Sequence, residues 1–263
     1  MHTVKMARPK SEQIHGGGSE IFVSVLGPVE ILGVTQPFTR KAASELVVYL
    51  AFHPRGATND VWATALWPDR SVVASTLHST ASVARRALGR AADGSDHLTR
   101  RAGRLCLGSS VQTDIERFVR AVESRRADRF TEALALVRGR PFDGLCLADW
   151  TVLEGISAEV ESMVVSAALQ GAEEALRLGL GEEAAWMIRR GLRVSPYDER
   201  LYRGLLRATE ATGNRLGLRA TMAELLRLAD DGDGAVIHPR TVTLYEELAR
   251  GLVPEPKGDL VRL

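Results

Sequence analysis

The chain has 263 residues, 45% of them hydrophobic and 25% charged, and a formal net charge of +1. That length suits two domains and that apolar content fills a core, but no apolar run could span a bilayer or act as a secretory signal. The near-neutral charge conceals an asymmetry: residues 1–110 carry 13 Lys+Arg against 8 Asp+Glu, and residues 111–263 carry 21 against 25. A basic front and an acidic back suit a first half that meets an anion and a second half that meets something else.

Residues 1–19 are polar, with Gly16, Gly17 and Gly18 in a row, and are expected to form a flexible leader. Ile21 to Ile31 is rich in Val, Ile and Phe but interrupted by Gly27-Pro28, which predicts two short strands with a break. Lys41 to Phe52 reads as a helix with Leu46, Val47, Leu50 and Ala51 on one side, ended by Pro54 and Gly56. Thr58 is placed to cap a second helix, which stops at Trp67 because Pro68 disfavours helical geometry in the residue before it.

A third helix is expected from Val72 to Leu88, after the loop Asp69-Arg70-Ser71. At 100° per residue, Leu77, Ala81, Ala84 and Leu88 fall within about 60° of arc and mark a narrow buried face. Ser75, Ser79, Ser82 and Arg86 lie opposite, with His78 and Arg85 at one edge. Small polar side chains let a helix sit deep in a groove, and an Arg reaches base edges or phosphate. His97 to Leu107 then reads as a hairpin turning at Ala102-Gly103, with Arg100, Arg101 and Arg104 crowded at its tip. A helix of that kind backed by a basic hairpin is what a DNA major groove and its flanking phosphates require.

From Asp114 onward the pattern is helical. Ile115 to Glu123 and Phe130 to Val137 form a first pair, closed by the breakers Pro141 and Gly144. One long helix is expected from Asp149 to Leu178, then Glu182 to Arg193, Glu199 to Ala211 capped by Asp198, Leu216 to Leu228, and Thr241 to Leu248. Gly179 and Gly213 stand one tetratricopeptide period apart, about 34 residues, and Ala184 and Ile188 recur as Leu218 and Met222. Stacked pairs of this kind bury a continuous core and expose a concave face that binds protein or peptide.

No phosphate loop, HExxH, GxSxG or Cys/His cluster occurs, so no constellation supports an enzyme, a cofactor or a metal centre. Cys106 and Cys146 match no metal spacing and read as free thiols of a cytoplasmic protein. The run around Asp231 resembles part of a calcium loop but lacks the closing Glu.

The order LGPVEI, ALWP, STLHSTASVARRALG, a hairpin, DIERF, RGRPFDG, DW and SPYDERLYRGLLRA resembles the Streptomyces antibiotic regulatory protein (SARP) family of actinobacterial transcription factors. The resemblance covers about residues 21–250. It implies a mainly α fold with a small β component: a winged helix-turn-helix over 20–110, a tetratricopeptide-like bacterial transcriptional activation domain over 111–250, and a tail over 251–263. It also implies a nucleoid-associated activator that binds promoter repeats in double-stranded DNA as a homodimer and recruits RNA polymerase. Ser75, Ser79, Ser82 and Arg86 would then face bases, with His78 and Arg85 at the groove edge. Arg100, Arg101 and Arg104 would hold backbone or minor groove, with Arg40 and Lys41 adding phosphate contacts, and Asp69 and Arg70 would face polymerase. The hairpin departs from the family pattern by reading Gly103-Arg104 where Gly-Tyr is usual. These details look closer to a branch in which the module ends large membrane-anchored proteins. That leaves a second reading open: a non-DNA-binding signalling or scaffold module whose helical repeats bind a protein or small ligand.

Overall fold

The computed structural model describes residues 20–147, 149–231 and 236–251. The two expected strands are β1 (Ile21–Ser24) and β2 (Glu30–Leu32), antiparallel across the Gly27-Pro28 break. A third strand, β5 (Val111–Thr113), joins β1 in parallel, so the sheet order is β2-β1-β5. The sheet therefore reaches past residue 110, and the step between the two expected domains runs along a shared strand pair.

The front of the chain is a winged helix-turn-helix. It comprises α1 (Lys41–Ala51), α2 (Asn59–Leu66), α3 (Ala74–Leu88) and the hairpin β3 (Leu98–Arg101) and β4 (Arg104–Leu107). Thr58 stands at the N-cap of α2, although its side chain makes no capping hydrogen bond. Ala102 and Gly103 both adopt positive φ, 47° and 78°, as a tight turn between right-twisted strands requires. The hairpin is tied to the loop before α2: Ala57 and Leu105 exchange backbone hydrogen bonds of 3.0 and 2.8 Å. Gly56 allows that approach, because a Cβ there would lie 2.3 Å from both Cys106 Sγ and the Leu105 carbonyl oxygen.

Behind it come α4 (Asp114–Val122) and α5 (Ala127–Ala135), the first closed by a capping box between Thr113 and Glu116. The single long helix expected over 149–178 is instead two, α6 (Asp149–Leu153) and α7 (Ile156–Arg177). Gly155, at φ 74°, breaks it, and the turn buries Trp150 while bringing Glu154 against His53. The remaining helices are α8 (Gly181–Leu192), α9 (Glu199–Ala211), α10 (Arg215–Asp231) and α11 (Pro239–Gly251). Gly179 and Gly213 end α7 and α9 with positive φ, so the repeat seen in the sequence is a repeat of helical pairs. Ala184, Ile188, Leu218 and Met222 are all buried in it. At the far end α11 docks on α9, where Thr241 donates to Glu199 at 2.6 Å and accepts from Arg203 at 2.9 Å.

One hydrophobic core runs from β1 through α1, α3 and the wing into α4, α5 and α7–α9. A smaller cluster around Tyr202, Met222 and Leu225 seats α11. Asp230 and Asp231 belong to α10, and the rest of the acidic run, like the leader 1–19 and the tail from 252, lies outside the described residues.

Candidate nucleic-acid interface

The face of α3 predicted to be buried is buried: Leu77, Ala81, Ala84 and Leu88 are all within the core. It is wider than expected, because Thr80, Val83 and Ala87 are buried too. The reason is long-range packing. The helix lies on α1 and against β3, and Thr35 closes its C-terminal end by bonding from its amide to the Ala87 carbonyl at 2.8 Å and from its hydroxyl to the Arg86 carbonyl at 3.0 Å. Ser75, His78, Ser82 and Arg86 remain exposed and Ser79 is half-buried. Val73, at the N-cap of α3, is 67% exposed and adds an apolar contact at the leading end of this face that the sequence reading did not single out.

Arg85 does not stand free at the groove edge as expected. It is half-buried and donates from Nε to the Leu98 carbonyl at 3.2 Å, pinning the wing to α3. The three wing arginines also differ from one another. Arg100 donates to Asn59 Oδ1 and to the Gly103 carbonyl, each at 3.0 Å. Arg104 donates to the Gly56 carbonyl at 3.2 Å. Arg101 is exposed, and its guanidinium makes no hydrogen bond or ion pair among the described residues. The wing is thus a braced platform that presents one unengaged cation beside two held in place. Asn59, the first residue of α2, is the brace, and no local sequence pattern marks it as one.

The other expected contacts fall elsewhere. Arg40 is exposed at the N-cap of α1. Lys41 donates to Cys146 Sγ at 3.2 Å, so its neighbour is the segment leading to α6, not the wing. Asp69 and Arg70 are exposed, with the Arg70 guanidinium 5.8 Å from the Trp67 ring centre. Their loop, from Leu66 to Arg70, forms one wall of a shallow groove whose other wall is Cys146, Leu147 and Asp149.

What fixes that groove is α1. Every fourth residue from Lys41 through His53, just past its end, meets the stretch from Cys146 to Glu154. Lys41 reaches Cys146. The Glu45 carboxylate accepts the amides of Cys146 and Leu147, each at 2.7 Å. Tyr49 meets Trp150 edge-on, ring centres 5.1 Å apart, and His53 Nε2 lies 3.0 Å from Glu154. Burial, with Glu154 nearby, pushes the Tyr49 phenol up to about 12. A second carboxylate, Asp114, accepts the amides of Val25 and Leu26 at 2.8–2.9 Å. Burial raises both Glu45 and Asp114 above the usual carboxylate range, while the amides they accept pull the other way.

Among the described residues no group of His, Cys, Asp or Glu could hold a metal ion, and no helix is long and apolar enough to cross a membrane. Both cysteines are free thiols. The site offers donors and small side chains for binding.

Residues 111–219 match the family model of the bacterial transcriptional activator domain. No curated protein matches the chain. Among solved structures the chain is similar to Mycobacterium tuberculosis EmbR, determined in complex with a low-affinity phosphopeptide. The TM-score is 0.61 at 24% identity, and the match covers 90% of this chain and 66% of that one. The chain thus spans just under two thirds of that protein's length. Residues 111–219 thus resemble a bacterial transcriptional activator domain, and they stand behind a winged helix-turn-helix in a fold like that of EmbR.

Proposed function

We propose that the chain is a sequence-specific DNA-binding regulator of the SARP type, an activator that binds promoter repeats as a homodimer and contacts RNA polymerase. The observation that carries this reading is the pairing of the exposed Ser75, His78, Ser82 and Arg86 face of α3 with a braced basic wing. Placed in the major groove, α3 would read bases with those side chains and Ser79. Arg101 would meet phosphate or the minor groove, with Arg100 and Arg104 behind it, and Arg40 and Lys41 would approach the backbone from α1. Asp69 and Arg70 would face polymerase. The working units are 20–110 for DNA and 111–250 for activation, with 1–19 as leader and 251–263 as tail, acting at the nucleoid in the cytoplasm. Few cations on α3 favour binding weighted toward backbone and DNA shape.

Selection of bound sequences from a random DNA pool tests this. Enrichment of a direct repeat, with affinity lost in Arg86→Ala, is the expected result. One observation favours a second reading: Arg100 and Arg104 are engaged inside the protein, which suits a scaffold whose winged helix no longer meets DNA. A flat pool, with no binding at low salt and a protein partner captured by the helical repeats, would select that reading instead.

A further inference from the structure

The buried Glu45 has no place among the DNA contacts, yet α1 holds it where two functions meet. One side of α1 packs on α3, and the other carries Lys41, Glu45 and Tyr49, a stripe that His53 continues just past the helix end. Glu45 is 2% exposed. Its two oxygens accept one backbone amide each, from Cys146 and Leu147, both at 2.7 Å. Those same two residues line the groove opposite Asp69 and Arg70. Residues 145–147 belong to no helix or strand, so side chains help to set their path. Among the described residues the carboxylate alone takes both amides, and its helix packs on the recognition helix.

We infer that Glu45 is a positioning residue for activation: it fixes the 146–147 wall of the groove against the Asp69-Arg70 loop, and so sets the surface offered to polymerase without touching DNA. The inference rests on the function proposed above and adds to it a residue and a composite surface, loop plus linker, in place of the loop alone. The chemistry is specific to a carboxylate. Glutamine at 45 has the same shape, but its amide nitrogen is a donor and would confront one of the two backbone N–H groups. The other bond survives, the helix stays buried, and α3 keeps its support.

The test uses the full chain and the direct repeat recovered by selection. Operator affinity is measured by band shift, and transcription in vitro from a promoter carrying that repeat. Glu45→Gln is expected to leave operator affinity within about twofold and to lower activated transcription at least about tenfold. Leu147→Pro deletes the amide from the other side while keeping Glu45, and is expected to show the same split. If either variant activates like the parent, the inference fails and the function stands. If operator affinity falls in step with activation, Glu45 serves only the fold and the inference also fails. If the parent itself neither binds nor activates, the functional reading fails, and the inference built on it falls too.

Discussion

Two residues, Glu45 and Asp114, are charged in type and 2% exposed in fact, and neither has a salt bridge among the described residues. Each is tolerated because it accepts backbone amides that would otherwise be buried without partners. Asp114 also begins α4, where the helix dipole favours a negative charge. Burial is still the largest influence on both and raises them above their ordinary values. The folded chain then holds these protons to a higher pH than the unfolded chain does. Their contribution to stability is complete below the ordinary values, 4.5 for Glu45 and 3.8 for Asp114, and is lost as pH rises through the raised ones. Replacing both, as Glu45→Gln with Asp114→Asn, removes that titration. Urea midpoints between about pH 4 and pH 6.5 should therefore fall less with rising pH in the double variant than in the parent. Equal slopes would show that the two groups titrate alike in the folded and unfolded chain.

The wing shows how an element assigns different work to identical residues. Arg100 and Arg104 each hold a carbonyl or amide oxygen near the start of α2, whereas Arg101 holds nothing among the described residues. On the DNA-binding function proposed above, Arg101→Ala should thus lower the salt dependence of binding by one phosphate contact, a slope of about 0.9, and leave thermal stability within about 0.5 kcal/mol. Arg104→Ala should cost about 1 kcal/mol of stability as well, through the lost bond to Gly56. Band shifts across salt paired with thermal melts separate the two, and a stability loss for Arg101→Ala equal to that for Arg104→Ala would contradict the assignment. Three arginines on a tip were legible in the sequence; which of them is braced was not, because Asn59 and Gly56 are distant along the chain. The same holds for α3. Its 3.6-residue period revealed Leu77 through Leu88, but burial of Thr80, Val83 and Ala87 depends on α1, β3 and Thr35, whose positions no local pattern encodes. At α6 the error ran the other way. A lone glycine in a periodic apolar run reads as tolerated, and only the pull of Trp150 and Glu154 toward α1 turns Gly155 into a break.

At the scale of the whole molecule, three of the motifs that carried the family resemblance, LGPVEI, RGRPFDG and DW, form the seam between its two parts. LGPVEI, with the Val25 before it, hydrogen-bonds to RGRPFDG: the Arg138 amide donates to Leu26 at 2.7 Å, Phe142 to Val25 at 2.8 Å, and Val29 to Asp143 at 2.8 Å. The Arg138 side chain then reaches Pro28 and Glu30. The DW pair supplies Trp150, 1% exposed and ringed by Tyr49, Phe52, His53 and Phe142. A seam this buried argues that winged helix and helical domain unfold together, as one cooperative unit. Trp150 is the residue on which to try that. Truncation to Ala empties a large buried volume between the parts and should cost about 3–5 kcal/mol. Since what it removes is mostly contact across the seam, heating should then resolve two transitions where the parent shows one. Trp150→Phe keeps the ring, and it discards an indole N–H that has no acceptor among the described residues, so it should retain the single transition at a much smaller cost. Calorimetry of the three chains decides the matter: a single transition surviving in Trp150→Ala would place the coupling in the backbone pairing of β1, β2 and the RGRPFDG turn instead of in this aromatic cluster.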